Sequence, residues 1–542
     1  MTEPRADVIV IGAGPAGSAA TWRLAKAGFS VICLERGHWF DYSTLGHGTP
    51  FYERRRAKQF NDNPNIRRNA DDYPIDDTDS PIKPMIGNAV GGGSIYWAAH
   101  IPRYRPEDFR VRSLDGVGDD WPIAYDDLAP YYDINEAETG LAAFPGDPSG
   151  PLRQQPVVAA PTIGPAGRRL GRAFDSSGWH WWPVDLTVGS AGAARATCTH
   201  PGPCEPGCPS RVQAGADATY MRKAIAAGAR LMTGARVIGL EHDADQCVTA
   251  AIVATDTGIL RVRGDRFVLA ANGIGTPRLL LMSASARFPN GLANGSGLVG
   301  RNLMLHPHAR VDGWFDERLG AWAPGQKAGI VSLEFYATRC ENGFPRGFKM
   351  QSNPGPAPAD LARGAAIGSR LPWGSDHHAS FERAFDHTLG LTICIEDLPE
   401  PANRITLADD LVDRDGAPAP KMTYLLSDAS RRNLDFAMDR AEEILRKAGA
   451  KRIARDPLKQ QAGFHLMGTT RMGTAPETSV VDPYGRCHGV PNLFIVDSSV
   501  FVTGGAMNPT STAQAFALRT ADHLAATSNR SPPAPGDFSC AP

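Results

Sequence analysis

The spacing of apolar and polar positions marks its first regular element at residues 6–12, ADVIVIG, a short β-branched run closed by glycine that reads as a strand buried on both faces. Residues 15–28, PAGSAATWRLAKAG, carry Pro15 at the start and Gly28 at the end, the asymmetry expected of a helix. A second apolar run, SVICLE, ends at Glu35, so the first 35 residues predict one βαβ unit of a doubly wound parallel sheet. From about 41 to 85 the chain is polar and proline-rich with no steady period, and the run ERRRAK at 53–58 reads as solvated surface. Strand, glycine-rich turn and helix return in DRFVLAANGIGTPRLLLMSA at 265–284, which predicts that the first sheet resumes there and that its domain is discontinuous. Between 429 and 449, Leu434, Met438, Ala441 and Leu445 recur at helical spacing, the stripe of a scaffold helix.

Composition narrows the class. At 542 residues the chain can hold three or four domains, or two large interleaved ones. Hydrophobic residues at 42% and charged ones at 21% describe a globular chain, and 57 glycines with 44 prolines predict long irregular connections. A net charge of −2 without a dense basic stripe argues against a nucleic-acid partner and favours small-molecule chemistry. The N-terminus has acids before its apolar run, and no stretch of about 18 apolar residues occurs, so a cytoplasmic protein without a membrane span is expected. Residues 531–542 read as a disordered tail.

Gly12, Gly14 and Gly17 form G-x-G-x-x-G between the first strand and helix. The first permits a tight turn, the second lets a pyrophosphate approach the backbone, and the third lets helix and strand pack closely. The helix N-terminus then offers its partial positive charge to phosphate. Glu35 lies 18 residues beyond Gly17, where a carboxylate can hold ribose hydroxyls. The motif alone does not separate FAD from NAD.

Further blocks do. GNAVGGGSIYWAAHIPRYRPEDF at 87–109, GFHLMGTTRMG at 463–473 and the C-terminal run 482–523 resemble, together with the glycine motif, the glucose-methanol-choline (GMC) family of FAD-dependent alcohol oxidoreductases. VGRNLMLHP at 299–307 and DWPIAYDDLAPYY at 120–132 extend the likeness over nearly the whole chain, closest to the bacterial sugar and polyol dehydrogenase subgroup. The resemblance implies an α/β and α+β fold, a Rossmann-like FAD-binding domain interleaved with a substrate-binding domain on an antiparallel sheet. The expected division assigns 1–40, 84–110, 210–306 and 481–530 to FAD binding, and 41–83, 111–209 and 307–480 to the substrate domain and loops.

An alcohol yields hydride only if its hydroxyl proton also leaves, and a neutral imidazole is a suitable base. His465, in HLMGT, matches the family's catalytic histidine. Asn508 before Pro509 reads locally as a helix N-cap with proline at the first helical position. The resemblance adds a second role for Asn508, holding the substrate oxygen beside the histidine, and Pro509 and Thr510 would then border the flavin. Gly92, Gly93, Ser94, Tyr96 and Trp97 would lie over the flavin, with Tyr96 standing where some relatives carry a flavin-linking histidine, so noncovalent FAD is expected. His100 reads as a polar loop residue. Asp497 resembles the family acid near the ribityl chain and pyrophosphate, or else caps a turn. Oxygen or a redox partner would take the electrons, and a non-redox lyase on the same fold is the rival reading.

Cys198, Cys204 and Cys208, at C-x5-C-x3-C, have a spacing able to ligate iron–sulfur. Reduced structural thiols without metal are the favoured reading. The tryptophans of WHWWP, Trp179, Trp181 and Trp182, are expected to fill core rather than to stack on a sugar.

Overall fold

A computed structural model describes residues 3–42, 61–153, 163–187, 215–321, 329–356, 358–362 and 371–528. Its first body grows from the predicted βαβ unit. Strand β1 (Arg5–Ile11) leads into helix α1 (Pro15–Lys26) and the parallel strand β2 (Val31–Leu34). Val8, Ile9 and Val10 are fully buried, as a strand covered on both faces requires. Strand β3 (Gly258–Leu269) pairs in parallel with the other edge of β1 and leads into helix α2 (Asn272–Met282), so the sheet does resume as expected. The sheet runs Arg230–Met232, β2, β1, β3, Val248–Thr255, Arg236–His242, and Leu493–Ile495 joins the C-terminal end of β3 in parallel. Its last three neighbours, from β3 outward, are antiparallel.

The second body is a six-stranded antiparallel sheet with the order Arg452–Asp456, β4 (His308–Trp314), β6 (Thr388–Ile395), β5 (Phe348–Asn353), Ile330–Ser332, Trp182–Pro183. Side chains alternate across a strand. Ala309 and Val311, Phe348 and Met350, and Leu391, Ile393 and Ile395 face one way, into a core shared with helix α3 (Asp428–Lys447). All four stripe residues of α3 are buried, and Ser427 caps it by accepting from the Ser430 amide. The opposite face is polar. His308, Cys394 and Lys349 form one cross-strand row, and Arg310, Thr392 and Gln351 the next, with Asp456 paired to Arg310.

Helix α4 (Thr510–Ala526) packs on α1, to which Arg23 and Asp522 tie it at 2.6 Å. The helix Tyr125–Thr139 covers α4, with Tyr132 and Thr512 hydroxyls 2.6 Å apart. Among the described residues no helix is long and apolar enough to cross a membrane. The charged run at 53–58, the cysteines Cys198, Cys204 and Cys208, and the tail at 531–542 lie outside the described residues.

Candidate active site

The polar face of the second sheet closes over the glycine turn of the first, and between them lies a cavity of about 1210 Å³. At the end of β1 the chain turns at Gly12 (φ +105°), where an added Cβ would stand 2.4 Å from the Ala270 carbonyl oxygen. At Gly17 it would stand 1.9 Å from the Gly12 oxygen, so these two glycines let α1 close on the sheet. Gly14 and Gly93 do something else. A Cβ on Gly14 would meet only Gly92 Cα at 4.0 Å, one on Gly93 would meet nothing within 4 Å, and both residues line the cavity. The N-terminus of α1, with no side-chain cap, opens into the same space, as suits a pyrophosphate.

Glu35 lines the cavity and braces the turn, one carboxyl oxygen accepting from the Ala13 amide at 2.8 Å and the other from Gly37 at 2.9 Å. Burial raises its pKa to about 7. Ser94 accepts from the Ala216 amide and donates to the Gly91 carbonyl, locking the second glycine loop. Tyr96 and Trp97 line the cavity, and the buried indole N–H of Trp97 has no partner among the described residues. Asp497 takes the turn-capping role that was one of its two readings. It lines the cavity, and its carboxylate caps the turn after Leu493–Ile495, accepting from Ser499 N, Asn272 N and Thr276 Oγ1. A glycine turn, an open helix N-terminus and a buried carboxylate lining one cavity are features able to receive a dinucleotide.

His465 sits at the other end of the cavity, buried to 7% exposure. Its Nδ1 is 2.9 Å from His306 Nδ1, and its Nε2 is 3.4 Å from the Asn508 amide nitrogen. His306 Nε2 lies 3.1 Å from the Gly504 carbonyl oxygen. A carbonyl only accepts, so His306 carries its proton on Nε2 and accepts at Nδ1. His465 must then donate from Nδ1, which leaves Nε2 unprotonated and accepting from the Asn508 amide. Burial, then the neighbouring His306, His308 and Lys349, hold the His465 pKa well below the ordinary imidazole range. His306 is lowered to about 3 by burial and Lys349. His306, Cys394 and His465 offer ligand atoms within 4.8 Å of one another, but the two imidazoles already use the facing nitrogens on each other.

Asn508 is not the N-cap the sequence suggests. Helix α4 starts at Thr510, Pro509 is its N-cap with its carbonyl accepting from Ala513, and the Asn508 side chain turns away to His465 and to Lys349, whose ammonium donates to its Oδ1. Pro509 and Thr510 still border the cavity. His100 is likewise no ordinary loop residue: it lines the cavity beside Gln351, and burial lowers it to about 3.

Sequence reasoning passed over Lys349, His306, Gln351 and Arg310. The signal is the period-two alternation of FKMQSN at 348–353 and HARVD at 308–312, polar residues inside strands whose other face is core. Of the tryptophans, Trp179 packs on Phe335 as core, whereas Trp182 on the edge strand borders a smaller chamber of about 180 Å³ that also reaches Lys349 and Asn508.

Two family models, both described as GMC oxidoreductase, match residues 6–308 and 399–517. The chain is 37% identical to 2-methyl-1,2-propanediol dehydrogenase of Mycolicibacterium austroafricanum, over 96% of this chain and 95% of that protein. It is 31% identical to the fructose dehydrogenase large subunit of Gluconobacter japonicus, over 96% and 97%. Among solved structures, pyridoxine 4-oxidase from Mesorbium loti superposes with a TM-score of 0.66 at 17% identity, covering 96% of this chain and all of that one, which is likeness of fold.

Proposed function

Because the chain belongs to the GMC oxidoreductase family and is an FAD-dependent alcohol oxidoreductase, we propose that it oxidises a CH–OH group of a small polyol- or sugar-like molecule, with His465 as the base. The observation that carries the assignment is the unprotonated Nε2 of His465, 3.4 Å from the Asn508 amide nitrogen at the edge of the cavity. A hydroxyl oxygen seated against both, replacing their mutual contact, accepts from the amide and donates its proton to the imidazole. Bound FAD supplies the hydride acceptor. The protein's own part is to orient the alcohol, take the hydroxyl proton at Nε2 and keep the imidazole neutral until then.

Gln351, Asn353, Thr392 and Arg310 line the same cavity and suit a substrate with several hydroxyls, as do the substrates named in the two relatives. The relatives are redox enzymes, and nothing in them favours the lyase alternative. Tyr96 offers no imidazole to the flavin, which supports noncovalent FAD. Oxygen or a redox partner reoxidises it.

The test is anaerobic mixing of the yellow holoenzyme with 1,2-diols, polyols, sugars and aminosugars. Flavin absorbance should bleach with some of them, and His465→Ala should slow bleaching by about 100-fold or more with FAD still bound. No bleaching across the panel refutes alcohol oxidation by this chain, and wild-type rates in His465→Ala refute the base. The same preparation, precipitated with acid, should release its flavin into the supernatant.

A further inference from the structure

Lys349 is 5% exposed on β5, and among the described residues no carboxylate forms an ion pair with it. A buried cation without a counter-ion is costly, and its ammonium is committed to the Oδ1 of Asn508. We propose that Lys349 is the positioning residue of the catalytic pair, fixing the Asn508 amide with its NH2 toward His465 Nε2 so that substrate oxygen finds one donor and one acceptor side by side. This rests on the reading of His465 as base.

The argument is one of hydrogen-bond polarity. An asparagine amide has nearly the same shape when its oxygen and nitrogen exchange places, so packing alone does not choose between them. An ammonium has only donors, so it forces the oxygen to its own side. Gly504, an acceptor, sets the other end through His306. The chain from Lys349 through Asn508, His465 and His306 to Gly504 therefore has one consistent direction. Reversing the amide would aim Oδ1 at the Nε2 lone pair and leave substrate oxygen two acceptors and no donor.

Charge adds a second effect. His306 and His308 from the β4 side and Cys394 from β6 face His465 along with Lys349 from β5. Farther across the floor stand Arg310, held by Asp312, and Asp456, Lys459 and His100. Burial holds both near imidazoles below their ordinary range and pushes the Cys394 thiol up to about 11, so Lys349, although burial lowers its own pKa as well, is the near group that can carry charge. Its field opposes protonation of His465.

The experiment is anaerobic flavin reduction against pH in holoenzyme carrying Lys349→Met, Lys349→Gln or Lys349→Arg, with 15N spectra of histidine-labelled protein to read whether His465 Nε2 accepts a hydrogen bond. In Lys349→Met the acid limb of the rate should move to higher pH by about one unit, with reduction at least about 10-fold slower, and the Nε2 signal should move toward that of a free lone pair while Nδ1 stays protonated. Lys349→Gln, which keeps a donor but not the charge, should keep the Nε2 signal yet show the shifted limb. Lys349→Arg should keep both. A rate lowered equally at every pH, with the Nε2 signal unchanged in Lys349→Met, marks a merely structural lysine and overturns the proposal. His465→Asn separates the two readings. If it reduces flavin as wild type does, the base assignment itself has failed; if it is inactive while Lys349→Met keeps the wild-type limb and Nε2 signal, only the role of Lys349 has failed.

Discussion

At the scale of single residues, Asn508 shows how a side chain that reads as a helix cap can turn toward a neighbouring sheet instead. Standing two residues before α4, it supplies no cap, so Asn508→Ala should not weaken the helix through lost capping. The change instead strands the Lys349 ammonium without its acceptor, a cost of about 1–3 kcal/mol for a buried donor. Asn508→Asp separates stability from chemistry. It gives Lys349 a counter-ion but offers His465 an acceptor where a donor is needed. Thermal unfolding should show the aspartate variant at or above wild-type stability and the alanine variant below it, while anaerobic flavin reduction falls at least about 100-fold in the aspartate variant. The histidine was legible because its segment resembles a known family block. His306 and Lys349 were not, because their importance lies in what they touch across the fold, 159 residues from His465 and from Asn508 respectively.

Among the elements, the glycine turns show that glycines a few positions apart are needed for different reasons. Gly12 and Gly17 are required by the protein itself, since a Cβ at either collides with backbone. Gly93 is under no such constraint from the protein and lines the cavity, so a need for glycine there would come from a ligand. Gly93→Ala should leave the unfolding midpoint of the apoprotein unchanged, because its Cβ meets no protein atom within 4 Å. Its FAD dissociation constant, measured by quenching of flavin fluorescence, should rise about 10-fold or more, or about 1.4 kcal/mol. Unchanged affinity would remove Gly93 from the flavin contact surface. The G-x-G-x-x-G spacing foretold the turn, since strand, turn and helix follow from neighbours in sequence. The polar face of β5 could have been read from FKMQSN, but alternation says only that two faces differ. Which face meets a ligand depends on the apolar helix α3 occupying the other.

Over the whole molecule, the loop that carries Asn508 is anchored from behind by a buried ion cluster. Arg346 donates to Glu396 at 2.6 Å, Asp108 at 2.7 Å and Asp115 at 2.9 Å, and Tyr336 bridges Asp108 to the Ala506 amide. The cluster ties the segment leaving the first body to the end of β6. Arg346→Met leaves Asp108 and Glu396 buried and unpaired, and urea unfolding should show a loss of about 3–5 kcal/mol. Burial raises both acids above their ordinary values, so in the variant they take up protons as pH falls. The loss should therefore be smaller at pH 5 than at pH 8. A pH-independent loss would place the cost in packing instead.

The division between sequence and structure follows from range. The sequence by itself determined the βαβ unit, the return of the first sheet at β3, the stripe of α3 and the family, because each is written in residues close together or in blocks that resemble others. Only the tertiary structure decided that the Asn508 side chain faces His465 rather than capping the helix, that His465 holds its proton on Nδ1, and that a buried lysine donates to Asn508 from behind. Those outcomes depend on which donor meets which acceptor across two sheets, and hydrogen-bond direction is set by contacts that adjacency in sequence does not encode.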